Sequence, residues 1–166
     1  EGRPMIRAGY ELTDVQKAVT DFLRYKVANS GAPWSSWTVV EGWPDQTVFA
    51  NFTRLFLYSH TPLWVGEDVQ QGGKGLRRLE MTIGGWSCIA AGGAEEAAIA
   101  LSQLLALFGD PAVNVATFNS VIGGTAYTAK TFPQLGIYIN DITNPRAIEF
   151  RDEDDFRGEV SLQITC

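Results

Sequence analysis

The last ten residues of the chain alternate strictly between apolar and polar side chains. Val160, Leu162 and Ile164 fall on one side of an extended chain, and Glu159, Ser161 and Gln163 fall on the other. Such a period of two is the pattern of a half-buried β-strand. Residues 77–89 show the same alternation, with Leu79, Met81 and Ile83 on the apolar side, and Gly84–Gly85 are expected to kink that strand. Two long one-sided strands are therefore predicted.

Two segments have helical periodicity instead. In residues 14–28 the apolar side chains recur at i, i+3 and i+4, and Thr13 with Gln16 has the form of a capping box. Residues 94–108 are apolar over more than half of a helical circumference and precede Gly109, a C-cap signal. We expect the second helix to be well buried. The predicted core combines both helices with the last strand: Val15, Val19, Phe22, Ile99, Leu101, Leu104, Leu105, Phe108, Val160, Leu162 and Ile164.

Shorter strand candidates complete the pattern. They are residues 38–41, 53–58, 118–122, 135–139 and 147–150, and Gly123–Gly124 indicates a hairpin. Residues 1–12 are expected to be an irregular lead-in and residues 65–75, which contain four glycines, a mobile loop. Strands that cluster instead of alternating with helices favour an α+β fold, with a mostly antiparallel sheet of about six strands packed against two helices. A length of 166 residues without a repeat or a linker predicts a single domain, residues 1–166.

Composition excludes several classes of protein. The net charge is −6, with 13 Lys and Arg against 19 Asp and Glu, which disfavours a free-standing nucleic-acid binder. The sequence contains no run of 18 apolar residues, so no membrane span is predicted. It has no apolar segment near Glu1, so no signal peptide is predicted and synthesis in the cytoplasm is expected.

Motifs for catalysis or metal binding are incomplete. Cys88 and Cys166 are expected to be free thiols, because no clustered Cys/His ligands are present. Residues 72–75 lack the hydroxyl residue that follows the lysine of a phosphate-binding loop, and His60 has no nucleophile motif around it. The sequence therefore predicts no catalytic, cofactor or metal site.

Two segments are candidates for contact with a partner. Trp34, Trp37, Trp43 and Trp64 lie in or beside turns, where aromatic residues either cap the core or face another subunit. The four acids Asp152, Glu153, Asp154 and Asp155 are expected to form a solvated turn that faces water, a basic partner or a channel.

The order of elements resembles that of the neck or tail-terminator proteins of tailed bacteriophages. The resemblance covers residues 12–166 and is carried by a long strand that begins at Arg77–Arg78 and ends Ile-Gly-Gly-Trp-Ser-Cys. It continues with the helix 94–108, the segment Asn-Pro-Arg-Ala-Ile-Glu-Phe at 144–150, and a final strand at 156–164. The tryptophan-rich segment at 33–64 has no counterpart in this pattern.

The resemblance implies a virion structural protein without enzyme activity or cofactor. It implies a ring, usually a hexamer, at the head-proximal end of the tail tube. The ring would end tube polymerisation, contact the tube, the head-completion protein and in contractile phages the sheath, and let DNA pass without specific binding. The alternatives are another tail, sheath or head-connector subunit, or a small α+β ligand-binding or enzymatic domain. An apolar pocket with convergent polar groups would favour the last of these.

Overall fold

The computed structural model describes residues 5–42, 52–68, 76–150 and 155–166. Within these ranges the chain contains three α-helices and eight β-strands, which confirms the α+β class. The helices are α1 (Glu11–Asn29), α2 (Gly93–Phe108) and α3 (Phe132–Leu135). The strands are β1 (Thr38–Glu41), β2 (Phe56–Ser59), β3 (Leu63–Asp68), β4 (Leu76–Ser87), β5 (Phe118–Ile122), β6 (Thr125–Lys130), β7 (Tyr138–Phe150) and β8 (Asp155–Thr165).

Six strands form one mixed sheet, in the order β1-β2-β4-β8-β7, and β3 also pairs with β4. The pair β1–β2 is parallel, and the other described pairs of this sheet are antiparallel. Strand β2 pairs with the second half of β4 and β3 with its first half, so both lie on the same side of β4. Strands β5 and β6 form a separate hairpin.

The predicted alternation of the two long strands is confirmed. Leu79, Met81 and Ile83 of β4 and the matching side chains of β8, including Leu162, are buried in one core cluster together with α1 and α2. In the β4–β8 register Met81 lies opposite Leu162, so the two strands present one continuous apolar face to the helices.

Helix α1 begins earlier than predicted, and Thr13 is not its cap. The N-cap is Tyr10, whose carbonyl accepts bonds from the Asp14 amide and from the Thr13 hydroxyl. The Asp14 carboxylate is instead held by Arg7, whose Nη2 donates to Oδ1 at 2.8 Å. This contact ties the lead-in to the first helical turn. Burial would raise the pKa of Asp14, but the Arg7 hydrogen bonds outweigh it and keep this pKa below its ordinary value.

Helix α2 is less buried than predicted. Its fully buried side chains form one stripe, Ala97, Ala100, Leu104 and Phe108, whereas Ile99, Leu101 and Leu105 of the predicted core are only partly buried. The two alanines allow the helix to approach the sheet closely. A Cβ on Gly85 would meet the Cβ of Ala100 at 2.5 Å, and one on Gly158 would meet the Ala97 carbonyl oxygen at 2.7 Å.

Several further boundaries differ from the predictions. The strand predicted at 53–58 is β2, which begins only at Phe56. Strand β3 occupies the first part of the segment expected to be a loop, and the rest of that segment lies outside the described residues. Leu135 ends a short helix instead of opening a strand, because Thr131 and Gln134 form a capping box there. The short strand predicted at 147–150 is the end of the thirteen-residue β7.

The packing of α2 predicts unequal costs for two leucines. Leu104→Ala should lower the free energy of unfolding by about 2–5 kcal/mol, since Leu104 is fully buried and its removal leaves a cavity. Leu105→Ala, at a partly buried position one residue further, should cost clearly less. Urea unfolding of both variants measures the difference, and equal losses would contradict this placement of the helix.

Candidate interaction surface

The four tryptophans singled out from the sequence do not form one surface. Trp34 and Trp37 are buried, and their rings meet edge to face with centroids 5.3 Å apart. Each indole N–H has a partner on α2: Trp34 donates to Gln103 at 3.0 Å and Trp37 to Glu96 at 2.7 Å. These two rings cap the core, which is the first of the two alternatives that the sequence left open for them. Trp43 lies outside the described residues.

Trp64 has the exposure expected of a contact residue. It lies on β3 with 49% of its surface exposed, between Leu63, which is 68% exposed, and the exposed Val65. Strand β3 is bonded to β4 along one edge, and within the described part of the chain no strand pairs with its other edge. Consecutive exposed apolar residues on an edge strand are an open site for association.

An apolar groove lies beside this strand, at the end of the sheet where β4 begins and β8 ends. We call it the end groove; its volume is about 510 Å³. Its lining comes from the lead-in, the start of α1, the start of β4, the α3–β7 connection and the end of β8: Ile6, Ala8, Glu11, Leu76, Arg77, Pro133, Gly136, Ile137, Tyr138, Thr165 and Cys166. Most of these side chains are apolar, and the lining also includes the charged pair Glu11 and Arg77.

Arg77 connects the end groove with β3. Its guanidinium lies 5.6 Å from the centre of the Trp64 ring and 3.7 Å from the Glu11 carboxylate. Glu11 also accepts the Gly9 amide at 3.1 Å, so the acid is held by the lead-in. The exposed ring of Trp64 and the end groove therefore form one continuous surface, with a cation between them.

Cys166 lies on the wall of the end groove. Its amide and carbonyl bond the Arg77 carbonyl and amide, each at 2.9 Å, which continues the β4–β8 ladder to the edge of the groove. Burial raises the pKa of its thiol. Cys88 is buried elsewhere, and the two cysteines are free.

The acidic segment is divided by the structure. Asp152, Glu153 and Asp154 lie outside the described residues, whereas Asp155 opens β8 and is only 5% exposed. Its Oδ1 lies 3.2 Å from Nε of Arg157, which in turn stacks over the Trp86 ring at 4.6 Å. The expectation of a fully solvated turn is therefore wrong for Asp155.

A second buried polar group was not anticipated from the sequence. On the sheet face opposite the helices, the Tyr58 hydroxyl donates to Glu159, whose carboxylate also accepts from Arg146 at 3.0 Å. Burial and this hydrogen bond raise the pKa of Tyr58 well above its ordinary value. His60 packs its ring against Tyr58 at 5.1 Å, and burial lowers the pKa of the imidazole. The only sequence feature that points to this buried pair is Glu159 itself, an acid on the polar side of an alternating strand.

Neither a metal-binding cluster nor a membrane-spanning helix is found among the described residues. They contain no group of three or more His, Cys, Asp or Glu side chains placed to hold a metal ion. No helix in the same ranges is long and apolar enough to span a bilayer. Comparison with models of known protein families and with curated protein sequences gave no match.

The burial of Asp155 in an ion pair predicts that its replacement is costly. Asp155→Asn should lower the free energy of unfolding by about 3 kcal/mol, because it removes one partner of a buried ion pair. Joint replacement of Asp152, Glu153 and Asp154 by Asn or Gln should change it by less than about 0.5 kcal/mol, which is the cost expected of the solvated charges that the sequence predicts there. Thermal unfolding of both variants tests this contrast, and a costless Asp155→Asn would refute it.

The raised pKa of Tyr58 predicts instability in alkali. The unfolded chain loses the phenol proton of Tyr58 near pH ~10, whereas the folded chain keeps it. The contribution of the protonated Tyr58 side chain to the unfolding free energy is therefore complete below that pH and is lost as the pH rises. Above pH ~10, the unfolding free energy of the native chain should fall by up to ~1.4 kcal/mol more per pH unit than that of Tyr58→Phe. Tyr138→Phe, at a half-exposed tyrosine, is the matched control. Parallel pH profiles for the native chain and Tyr58→Phe would contradict the assignment.

Proposed function

We propose that the chain is a virion structural protein of a tailed bacteriophage. In this proposal it forms a tail-terminator ring at the head-proximal end of the tail tube, ends tube polymerisation and joins the tail to the head-completion proteins. It has no enzyme activity and no cofactor. Its partners are further copies of itself, the tube protein, the head-completion protein and, in a contractile tail, the sheath protein.

One observation carries the proposal: edge strand β3 exposes Leu63, Trp64 and Val65, and Arg77 lies between the Trp64 ring and the apolar end groove. A surface of this kind is typical of a subunit that associates with other chains. A closed ring needs two different surfaces that meet across each contact, so an exposed apolar surface at one end of the subunit fits a heterologous contact.

Charge and element order support the same function. The net charge of −6 suits a channel through which DNA slides without adhering. The segments that carry the resemblance to tail-terminator proteins occur in this order in the fold. The long strand is β4, the helix at 94–108 is α2, and the last two segments lie in β7 and β8. A place in the virion, after synthesis in the host cytoplasm, follows from this proposal.

The end groove also supports a second candidate, a domain that binds a small ligand. A volume of about 510 Å³ lies in the range of ligand sites, and Glu11 and Arg77 are charged groups within a mostly apolar lining. A ligand-binding domain would need no self-association, so the state of assembly separates the two candidates.

Replacement of Trp64 tests the ring. Trp64→Ala should weaken assembly at least ~10-fold, because a large exposed ring is lost from the contact, and should leave the unfolding free energy within ~0.5 kcal/mol. Native mass measurement and class-averaged images report assembly, and urea unfolding reports the fold.

Val121→Ala is the control for this experiment, since Val121 has similar exposure on the separate β5–β6 hairpin. A native chain that stays monomeric at high concentration and on purified tail tubes would overturn the ring and leave the ligand-binding domain as the better account.

A further inference from the structure

The apolar faces of the two central strands continue, at the end groove, into a cation and a thiol. Side chains along a strand alternate between its faces, so Arg77 lies on the same face of β4 as Leu79. Cys166, which follows β8, lies on the same face as Ile164 and pairs with Arg77 through the backbone. Leu79 and Ile164 are buried in the core. A guanidinium therefore occupies the core-facing position that comes next after Leu79.

The Arg77 guanidinium is only loosely held at this position. Its Nη1 lies 3.7 Å from the Glu11 carboxylate, which is longer than the roughly 2.7–3.2 Å of an N–H···O hydrogen bond. The Trp64 ring, 5.6 Å away, presents a π face and no acceptor oxygen. Within the described part of the chain, the Arg77 side chain donates no hydrogen bond. Its N–H donors are therefore available to a molecule in the groove.

The neighbouring acid is more firmly engaged than this base. Both carboxylate oxygens of Glu11 accept the Gly9 amide at 3.1 Å, and the Glu11 side chain is 13% exposed, against 40% for Arg77. A molecule in the groove thus meets a cation with available donors and an acid whose oxygens already bind the backbone. One cation beside an acid suits a single negative charge better than a phosphate, which carries nearly two. A carboxylate has that charge and matches a guanidinium with two oxygens.

We propose that the end groove binds an amphipathic carboxylate, with its apolar body against Ile6, Leu76 and Ile137 and its carboxylate on Arg77. The groove volume of about 510 Å³ is sufficient for a small molecule of this kind. The inference rests on the second candidate function, the ligand-binding domain, and names the class of its ligand. It does not depend on the ring.

Three probes that share one apolar chain and differ in their head groups test the proposal: decanoate, 1-decanol and decylammonium. Calorimetric titration of the native chain, below the concentrations at which the probes form micelles, should show decanoate binding at least ~10-fold more tightly than either of the others. The reason is that only the carboxylate forms a hydrogen-bonded charge pair with Arg77.

Variants locate the two parts of the ligand. Arg77→Gln should lower the affinity for decanoate at least ~10-fold and leave that for 1-decanol unchanged. Arg24→Gln is the matched control, because the Arg24 side chain is 46% exposed, lies 3.6 Å from the Asp21 carboxylate and is not part of the groove lining. It should change neither affinity. Ala8→Trp places a large ring in the lining and should weaken the binding of both probes.

Cys166 provides a measurement on the native chain, which decides the question even if a variant fails to fold. At ten times its Kd, decanoate should slow the alkylation of Cys166 by iodoacetamide roughly 10-fold. Decylammonium at the same concentration should slow it at most about 2-fold. Mildly alkaline pH is used because burial raises the pKa of this thiol, and peptide masses distinguish Cys166 from the buried Cys88.

The outcomes separate this inference from the functions proposed above. Decanoate that binds Arg77→Gln as tightly as the native chain, or protects Cys166 no better than decylammonium, overturns the carboxylate site. If 1-decanol binds as tightly as decanoate, the carboxylate site fails while the ligand-binding domain stands, with a neutral apolar ligand. If none of the three probes binds, the ligand-binding candidate fails as well, and native mass measurement decides the ring independently.

Discussion

The close approach of α2 to the centre of the sheet is the constraint on which the rest of the structure depends. Gly85 and Gly158, neighbours in the β4–β8 register, leave no room for a Cβ under Ala97 and Ala100. Helix and sheet therefore meet almost backbone to backbone at this point. The larger side chains, Leu104 and Phe108, enter the core further along the helix. Larger residues at either glycine would separate the layers and open the core.

The same place in the sheet is tight on its other face. A Cβ on Gly84 would meet the Tyr58 hydroxyl and the Gly158 carbonyl oxygen, each at 2.6 Å. Tyr58 lies flat over this backbone and reaches Glu159, and Arg157 with Trp86 continues the buried layer. One end of the β4–β8 pair is thus covered on both faces. The opposite end, at the end groove, exposes apolar side chains such as Leu76 and Tyr138. The two ends of this strand pair therefore differ, one covered on both faces and the other open.

How far the sequence predicts this fold depends on the range of the interactions. The alternation of β4 and β8 and the stripe of α1 were recovered because each is set by one face of a single element. The partial exposure of Leu101 and Leu105 was missed, since glycines in distant strands decide which stripe of α2 is buried. The positions of Trp34 and Trp37 could not be decided for the same reason, because their partners Gln103 and Glu96 are identified only once the elements pack. Asp155 was misplaced although its partner Arg157 is two residues away, because the burial of this pair depends on packing against Trp86 of β4. Trp64 is the one residue of the candidate surface that was predicted from the sequence. The others were missed because exposure on an edge strand leaves no pattern in residue spacing.

The edge strands of the sheet, β1 and β3 on one side and β7 on the other, are not equivalent. Strand β7 contains Pro145, which has no amide hydrogen, Asn144 at φ +50°, and two register shifts. Proline and bulges are the usual means by which a sheet edge resists further pairing. Strand β3 has one register shift and carries Leu63, Trp64 and Val65 on its exposed surface. A ring made by extending one sheet from subunit to subunit would need a receptive strand at both edges, and β7 is unsuited to that role. For the proposed ring, contact through side chains is therefore more compatible with this sheet than a continuous ladder of hydrogen bonds.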